Sequence, residues 1–125
     1  MSDVRKQILI VEDDVNINNM IKEVLIKEGY KASQAFHGLE GVEKFKQATY
    51  NMVILDIMMP VMDGITLCHK LKTTISTSHI PIILLTAKGQ EVEKEEGFAM
   101  GADFYMTKPF RPKEIVAKAR SLFKL

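Results

Sequence analysis

Met52-Val53-Ile54-Leu55 runs unbroken into Asp56, and then into Ile57-Met58-Met59-Pro60. An apolar run this short, with no polar residue to face water, suits a strand covered on both sides, as in a parallel sheet flanked by helices. A carboxylate ending such a strand lies at the carboxyl edge of the sheet, where open α/β folds place their ligands. Taken alone, Asp56 also fits a cap on the following turn. Its meaning depends on what the other strands bring to the same edge.

Two further runs have the same form. Ile8-Leu9-Ile10-Val11 ends in Glu12, Asp13 and Asp14, the last placed to N-cap a helix. Ile80-Pro81-Ile82-Ile83-Leu84-Leu85 ends in the hydroxyl of Thr86. Phe104-Tyr105-Met106-Thr107 is a shorter strand leading into Lys108-Pro109-Phe110, and Lys31 to Phe36 alternates weakly enough to read as a short strand. Between these runs the apolar period lengthens to that of a helix. Ile17, Met20, Ile21, Val24 and Leu25 share one face, with Gly29 as the stop. Gly38 to Ala48 carries Leu39, Val42 and Phe45, and the Asp63-Gly64 turn precedes Ile65, Leu67, Cys68 and Leu71. A Glu-rich helix with Glu91, Glu93, Glu95 and Glu96 closes around Gly97 to Gly101. Pro112 opens a final helix at its first position, with Ile115, Val116, Ala119, Leu122 and Phe123 facing in.

Five strand–helix units in strict alternation call for a parallel sheet with right-handed crossovers and helices on both faces. The 125 residues, 1–125, are expected to form one such domain, with no output domain. A net charge of +1 offers no basic stripe, so direct nucleic-acid binding is not expected. The single cysteine, Cys68, cannot form an internal disulfide, which suits a cytoplasmic protein. The N-terminal apolar run is too short for a signal peptide or for membrane insertion.

The strand ends present Glu12 and Asp13, Asp56, Thr86 and Lys108 to one edge. Carboxylates packed together repel unless a cation intervenes, and hard oxygen ligands with open positions suit Mg²⁺. Three acids against a divalent ion and Lys108 come close to neutrality, leaving a site able to receive a phosphoryl group. Each piece also has a plainer reading. The acids fit a helix start favoured by its dipole, Thr86 a satisfied strand end, and Lys108 an exposed loop lysine. What sets them apart is that they end four different strands.

In this order and spacing, the stretches Ile8 to Asp14, Val53 to Pro60, Met62-Asp63-Gly64, Leu84-Leu85-Thr86-Ala87, Gly101-Ala102-Asp103 and Lys108-Pro109-Phe110 resemble a response-regulator receiver domain of the CheY-like family. The resemblance covers nearly the whole chain. It implies a flavodoxin-like (βα)5 fold, its five-stranded parallel sheet in the order 2-1-3-4-5. It further implies a phosphoacceptor switch of two-component signalling rather than an enzyme. Asp56 would take the phosphoryl group from a phosphohistidine on a histidine kinase or phosphotransfer protein. Asp13, Asp56 and the backbone carbonyl of Met58 would hold Mg²⁺ directly and Glu12 through water, with Mn²⁺ able to substitute. Lys108, Thr86 and the backbone N–H of Ala87 would contact the phosphoryl oxygens. Thr86 would move inward and Tyr105 would fill the space it leaves, altering the face formed by the fourth helix, fifth strand and fifth helix. The Lys108–Pro109 bond would be cis.

Two departures qualify the likeness. Phe104 stands where many two-domain regulators have a second acid, which argues for a monomer, or at most a weak phosphorylation-dependent dimer. Met58 and Lys88 occupy the variable positions beside the phosphoryl group, and an apolar Met58 cannot orient water, so slow self-dephosphorylation is expected. Three other readings compete. A Mg²⁺-dependent phosphatase of the haloacid dehalogenase kind wants an acid where Met58 stands. A flavodoxin wants a hydroxyl-rich phosphate loop where Glu12, Asp13 and Asp14 would repel phosphate. A degenerate receiver used for docking would not need the intact acid, hydroxyl and lysine set. His37, His69 and His79 show no ligand spacing and read as surface residues. The basic side chains Arg111, Lys113, Lys118, Arg120 and Lys124 form either a partner face or a solvated one.

Overall fold

β1 (Gln7–Val11) is followed by α1 (Val15–Lys27), β2 (Lys31–Ala35), α2 (Gly38–Gln47), β3 (Met52–Asp56), α3 (Gly64–Thr73), β4 (Ile82–Ala87), β5 (Phe104–Lys108) and a C-terminal helix (Pro112–Phe123). These elements come from a computed structural model that describes residues 5–59, 64–87 and 101–124. The expected Glu-rich helix from Glu91 to Gly97, the residues Pro60 to Asp63, Lys88, Met100 and the side chain of Ile65 lie outside the described residues. All four strand pairings are parallel, and the order is β2-β1-β3-β4-β5. The strand of Asp56 is therefore central.

Alternation along each strand divides its side chains between two layers. Leu9, Val11, Val53, Leu55, Leu84 and Tyr105 pack on one face with Leu67, Cys68 and Leu71 of α3. Ile8, Ile10, Ile54, Ile83, Leu85 and Met106 pack on the other, with Ile21 and Leu25 of α1 and Ile115, Ala119 and Leu122 of the C-terminal helix. β1 from Ile8 and β3 throughout are buried from both sides, which is why neither stretch has a polar residue before the acid that closes its apolar run. Each such side chain, fully buried, contributes about 1.5–3 kcal/mol of transfer free energy.

The helix ends are set by local chemistry. Asp14 caps α1, its Oδ1 accepting from the Ile17 N–H at 3.1 Å. Gly29 has a φ of 93°, the left-handed turn that ends α1 and starts the return to β2. β4 starts at Ile82 and not at Ile80, because Pro81 has no N–H to give the ladder. The Pro81 carbonyl still accepts from the Val53 N–H at 3.0 Å, and Ile80 is buried. β4 and β5 each run one residue past their expected ends, to Ala87 and Lys108, and the Lys108–Pro109 bond is cis. β2 stops at Ala35, one residue short of Phe36.

Candidate functional site

Because β1, β3, β4 and β5 are parallel and in register, their last residues meet at one edge of the sheet. Val11 lies opposite Leu55, Asp56 opposite Leu85, Thr86 opposite Thr107 and Ala87 opposite Lys108. Glu12, Asp13 and Asp56 each bring a carboxylate oxygen to within 4.8 Å of the others. Glu12 and Asp56 are buried and Asp13 is exposed, so the cluster has one open side.

Lys108 reaches over this cluster. Its Nζ lies 2.7 Å from Glu12 Oε1 and 3.4 Å from Asp56 Oδ1. Glu12 Oε2 accepts from the Asp14 N–H at 3.2 Å, and Asp56 Oδ1 from the Met58 N–H at 3.4 Å. Burial, and then the carboxylate of Asp56, push Glu12 up to about 8 from an ordinary 4.5, against the pull of Lys108 and the Asp14 N–H. Burial also raises Asp56, while its hydrogen-bond partners and the charge of Lys108 pull it back. For Lys108, burial disfavours the charge, but the two carboxylates outweigh burial and hold its pKa above the ordinary value. Two buried acids facing one ammonium leave a deficit of positive charge. A proton or a hard cation relieves it.

An oxygen-only donor set, open on the Asp13 side, fits Mg²⁺, which keeps several waters and takes one or two carboxylates. Met58 is exposed beside Asp56, with its backbone at the rim of the cluster. Ala87 is exposed at the end of β4, beside Lys108. Thr86 is buried, and its hydroxyl donates to Thr107 Oγ1 at 3.3 Å across the two strands. Tyr105 is buried two residues earlier on β5, in the α3-side layer. The strand ends thus bring together Glu12, Asp13, Asp56 and Lys108. Thr86 and Tyr105 stand behind them, at the edge strand and its neighbour.

Two residues gained a place that the sequence reading did not give them. His37 Nδ1 accepts from the Glu40 N–H at 3.2 Å and so caps α2, while Glu40 Oε1 accepts from the Phe36 N–H at 2.8 Å. Asn18 is fully buried directly behind the acids. Its signal was in the sequence: a polar residue three and seven positions before Ile21 and Leu25 lies on the inward stripe of α1.

An acid cluster at the carboxyl edge of a parallel sheet, with a lysine from the last strand laid across it, is the arrangement that the resemblance to receiver domains leads one to expect. The chain belongs to the response regulator receiver domain family, whose pattern it matches over residues 8–120. It is 43% identical over 118 residues to the uncharacterized transcriptional regulatory protein YclJ of Bacillus subtilis (strain 168), covering 94% of this chain and 51% of that protein. It is 38% identical to the transcriptional regulatory protein ResD of the same organism, covering 94% of this chain and 48% of ResD. The chain spans about half the length of these curated relatives. Among solved structures, a putative response regulator from Chloroflexus aurantiacus superposes with a TM-score of 0.92 at 33% identity, covering 97% of this chain and 99% of that one. The chemotaxis response regulator CheY4 of Vibrio cholerae gives a TM-score of 0.89 at 28% identity, covering 95% and 99%.

Proposed function

We propose that Asp56 accepts a phosphoryl group from a phosphohistidine on a histidine kinase or phosphotransfer protein, with Mg²⁺ held at Asp13, Asp56, the Met58 carbonyl and, through water, Glu12. The observation that carries this reading is the convergence of Glu12, Asp13, Asp56 and Lys108 within ion-pair or ligand distance at one sheet edge. In the transfer, one Asp56 oxygen forms the new O–P bond as the N–P bond of the donor breaks. The leaving imidazole keeps the electron pair and takes up a proton. Lys108 is already charged and within reach, so it meets the new phosphoryl oxygens with little reorganisation. Magnesium, when bound, supplies the rest of the positive charge that those oxygens need.

Thr86 is the internal sensor in this reading. Its hydroxyl leaves Thr107 for a phosphoryl oxygen, and buried Tyr105 takes up the space, so that local electrostatics shift a two-state surface. The domain acts as a switch in the cytoplasm, and its chemistry ends at accepting and slowly losing one phosphoryl group. YclJ and ResD are transcriptional regulatory proteins by name, so an effector bearing on transcription is the natural reader of this switch. The receiver itself needs no nucleic-acid contact for that. Asp103 pairs with Lys72 at 3.0 Å and accepts from the Ile82 N–H at 2.8 Å, and Lys118 Nζ lies 3.9 Å from the centroid of the Phe104 ring. These residues spend their charge within the chain, which favours a monomer or a weak dimer.

The test is intact mass after incubation with acetyl phosphate and Mg²⁺, with Asp56→Asn alongside. One Mg²⁺-dependent phosphoryl adduct, absent in Asp56→Asn and persisting well beyond seconds, is expected. No adduct, together with no binding of beryllofluoride and Mg²⁺, would overturn the reading in favour of a docking module.

A further inference from the structure

Asn18 lies on the first turns of α1, fully buried, with every polar atom of its side chain engaged. Nδ2 donates to the Glu12 carbonyl at 3.0 Å and to the Ala35 carbonyl at 3.0 Å. Oδ1 accepts from Gln34 Nε2 at 3.0 Å, and the same nitrogen donates to Asn19 Oδ1 at 2.7 Å. The amide therefore joins the ends of β1 and β2 to the helix between them.

The two carbonyls are not equivalent. The Ala35 carbonyl also receives the Glu12 N–H at 3.1 Å, so it keeps a donor without Asn18. The Glu12 carbonyl belongs to the peptide unit that joins Glu12 to Asp13. Fixing that plane fixes the direction in which the chain leaves Glu12 and delivers Asp13. On one side of the plane the Glu12 carboxylate turns inward to Lys108 at 2.7 Å. On the other, Asp13 stands at the open side of the cluster. A single peptide unit thus divides a buried acid from an exposed one.

We infer that Asn18 is a positioning residue for the Mg²⁺ site, setting through the Glu12–Asp13 peptide where the Asp13 carboxylate stands, with Gln34 holding the amide in the donating orientation. This inference rests on the functional reading above. Partners of this kind, one step behind the ligands, commonly carry a sizeable part of a metal site's affinity. A residue that only satisfied two buried carbonyls would affect the stability of the fold and nothing else.

The experiment is calorimetric titration of Mg²⁺ into the wild-type chain, Asn18→Leu and Gln34→Met, with the Tm of each metal-free protein measured separately. Leu keeps the branched shape of Asn18, though with more bulk, and removes its donors and acceptor. Gln34→Met leaves Asn18 in place and removes only its orienting partner, so it decides the matter if Asn18→Leu does not fold. Mg²⁺ affinity is expected to fall about tenfold in Asn18→Leu and roughly two- to threefold in Gln34→Met. A lowered Tm with unchanged Mg²⁺ affinity in the folded variants would overturn the inference and leave the functional reading intact. A wild-type chain that binds no Mg²⁺ would overturn the functional reading, and this inference with it.

Discussion

Glu12 is the residue on which the charge balance of the site turns. Its pKa in the fold, about 8, lies above its ordinary 4.5, so between those values the folded chain holds a proton that the unfolded chain has lost. Stability then rises as pH falls from about 8 toward 4.5, the reverse of an ordinary ion-paired acid. In EDTA the Tm should be higher at pH 6 than at pH 8.5, and Mg²⁺ should shrink the difference by replacing the proton. Glu12→Gln should flatten the metal-free profile, and an unchanged slope in that variant would assign it to other groups. The acid itself was legible in the sequence, since it ends an apolar run. Its burial was not. Glu12 and Asp13 are neighbours of the same type, and only the third dimension sends one inward to Lys108 and leaves the other exposed.

Among the elements, the central strands could be read from composition alone. β1 from Ile8 and β3 are covered on both faces, and nothing but apolar residues fits there before the acid that follows or ends the run. β2 was harder, because a half-buried edge strand tolerates Lys31, Ser33 and Gln34, and its pattern fades accordingly. The onset of β4 was misplaced because hydropathy records that Ile80 and Pro81 suit a core and is silent about a missing N–H. The joint between β3 and α3 allows a sharp test. A Cβ at Gly64 would collide with the Asp56 carbonyl oxygen and stand 2.9 Å from Ile57 Cα, all of it backbone that cannot swing aside. Gly64 also donates its N–H to the Ile57 carbonyl at 2.9 Å, which ties the start of α3 to the end of β3. Gly64→Ala should lower stability by about 1–3 kcal/mol and slow phosphorylation from acetyl phosphate, since the strand end that must give way carries the proposed acceptor, Asp56. A wild-type rate with a wild-type Tm would show that the joint relaxes freely.

For the whole molecule, the sheet is a partition between two apolar layers, and β3 contributes to both. Leu55 faces the α3 side and Ile54 the side of α1 and the C-terminal helix. Truncation at either position opens a cavity that close-packed neighbours cannot fill. Leu55→Ala and Ile54→Ala should each cost about 2–5 kcal/mol. Because one strand serves both layers, far-UV circular dichroism and tyrosine fluorescence should still report a single transition. Two separated transitions would mean that the layers unfold independently. The strand order has a further consequence, in the timing of synthesis. Once Asp56 has left the ribosome, β1 has both of its neighbours, β2 and β3, while β5 has yet to emerge. Glu12 and Asp56 are then both available, and Lys108 is the last group of the site to be delivered. For that interval the nascent site has both of its acids and not yet its lysine, and the layers that bury those acids close only when β4, β5 and the C-terminal helix arrive.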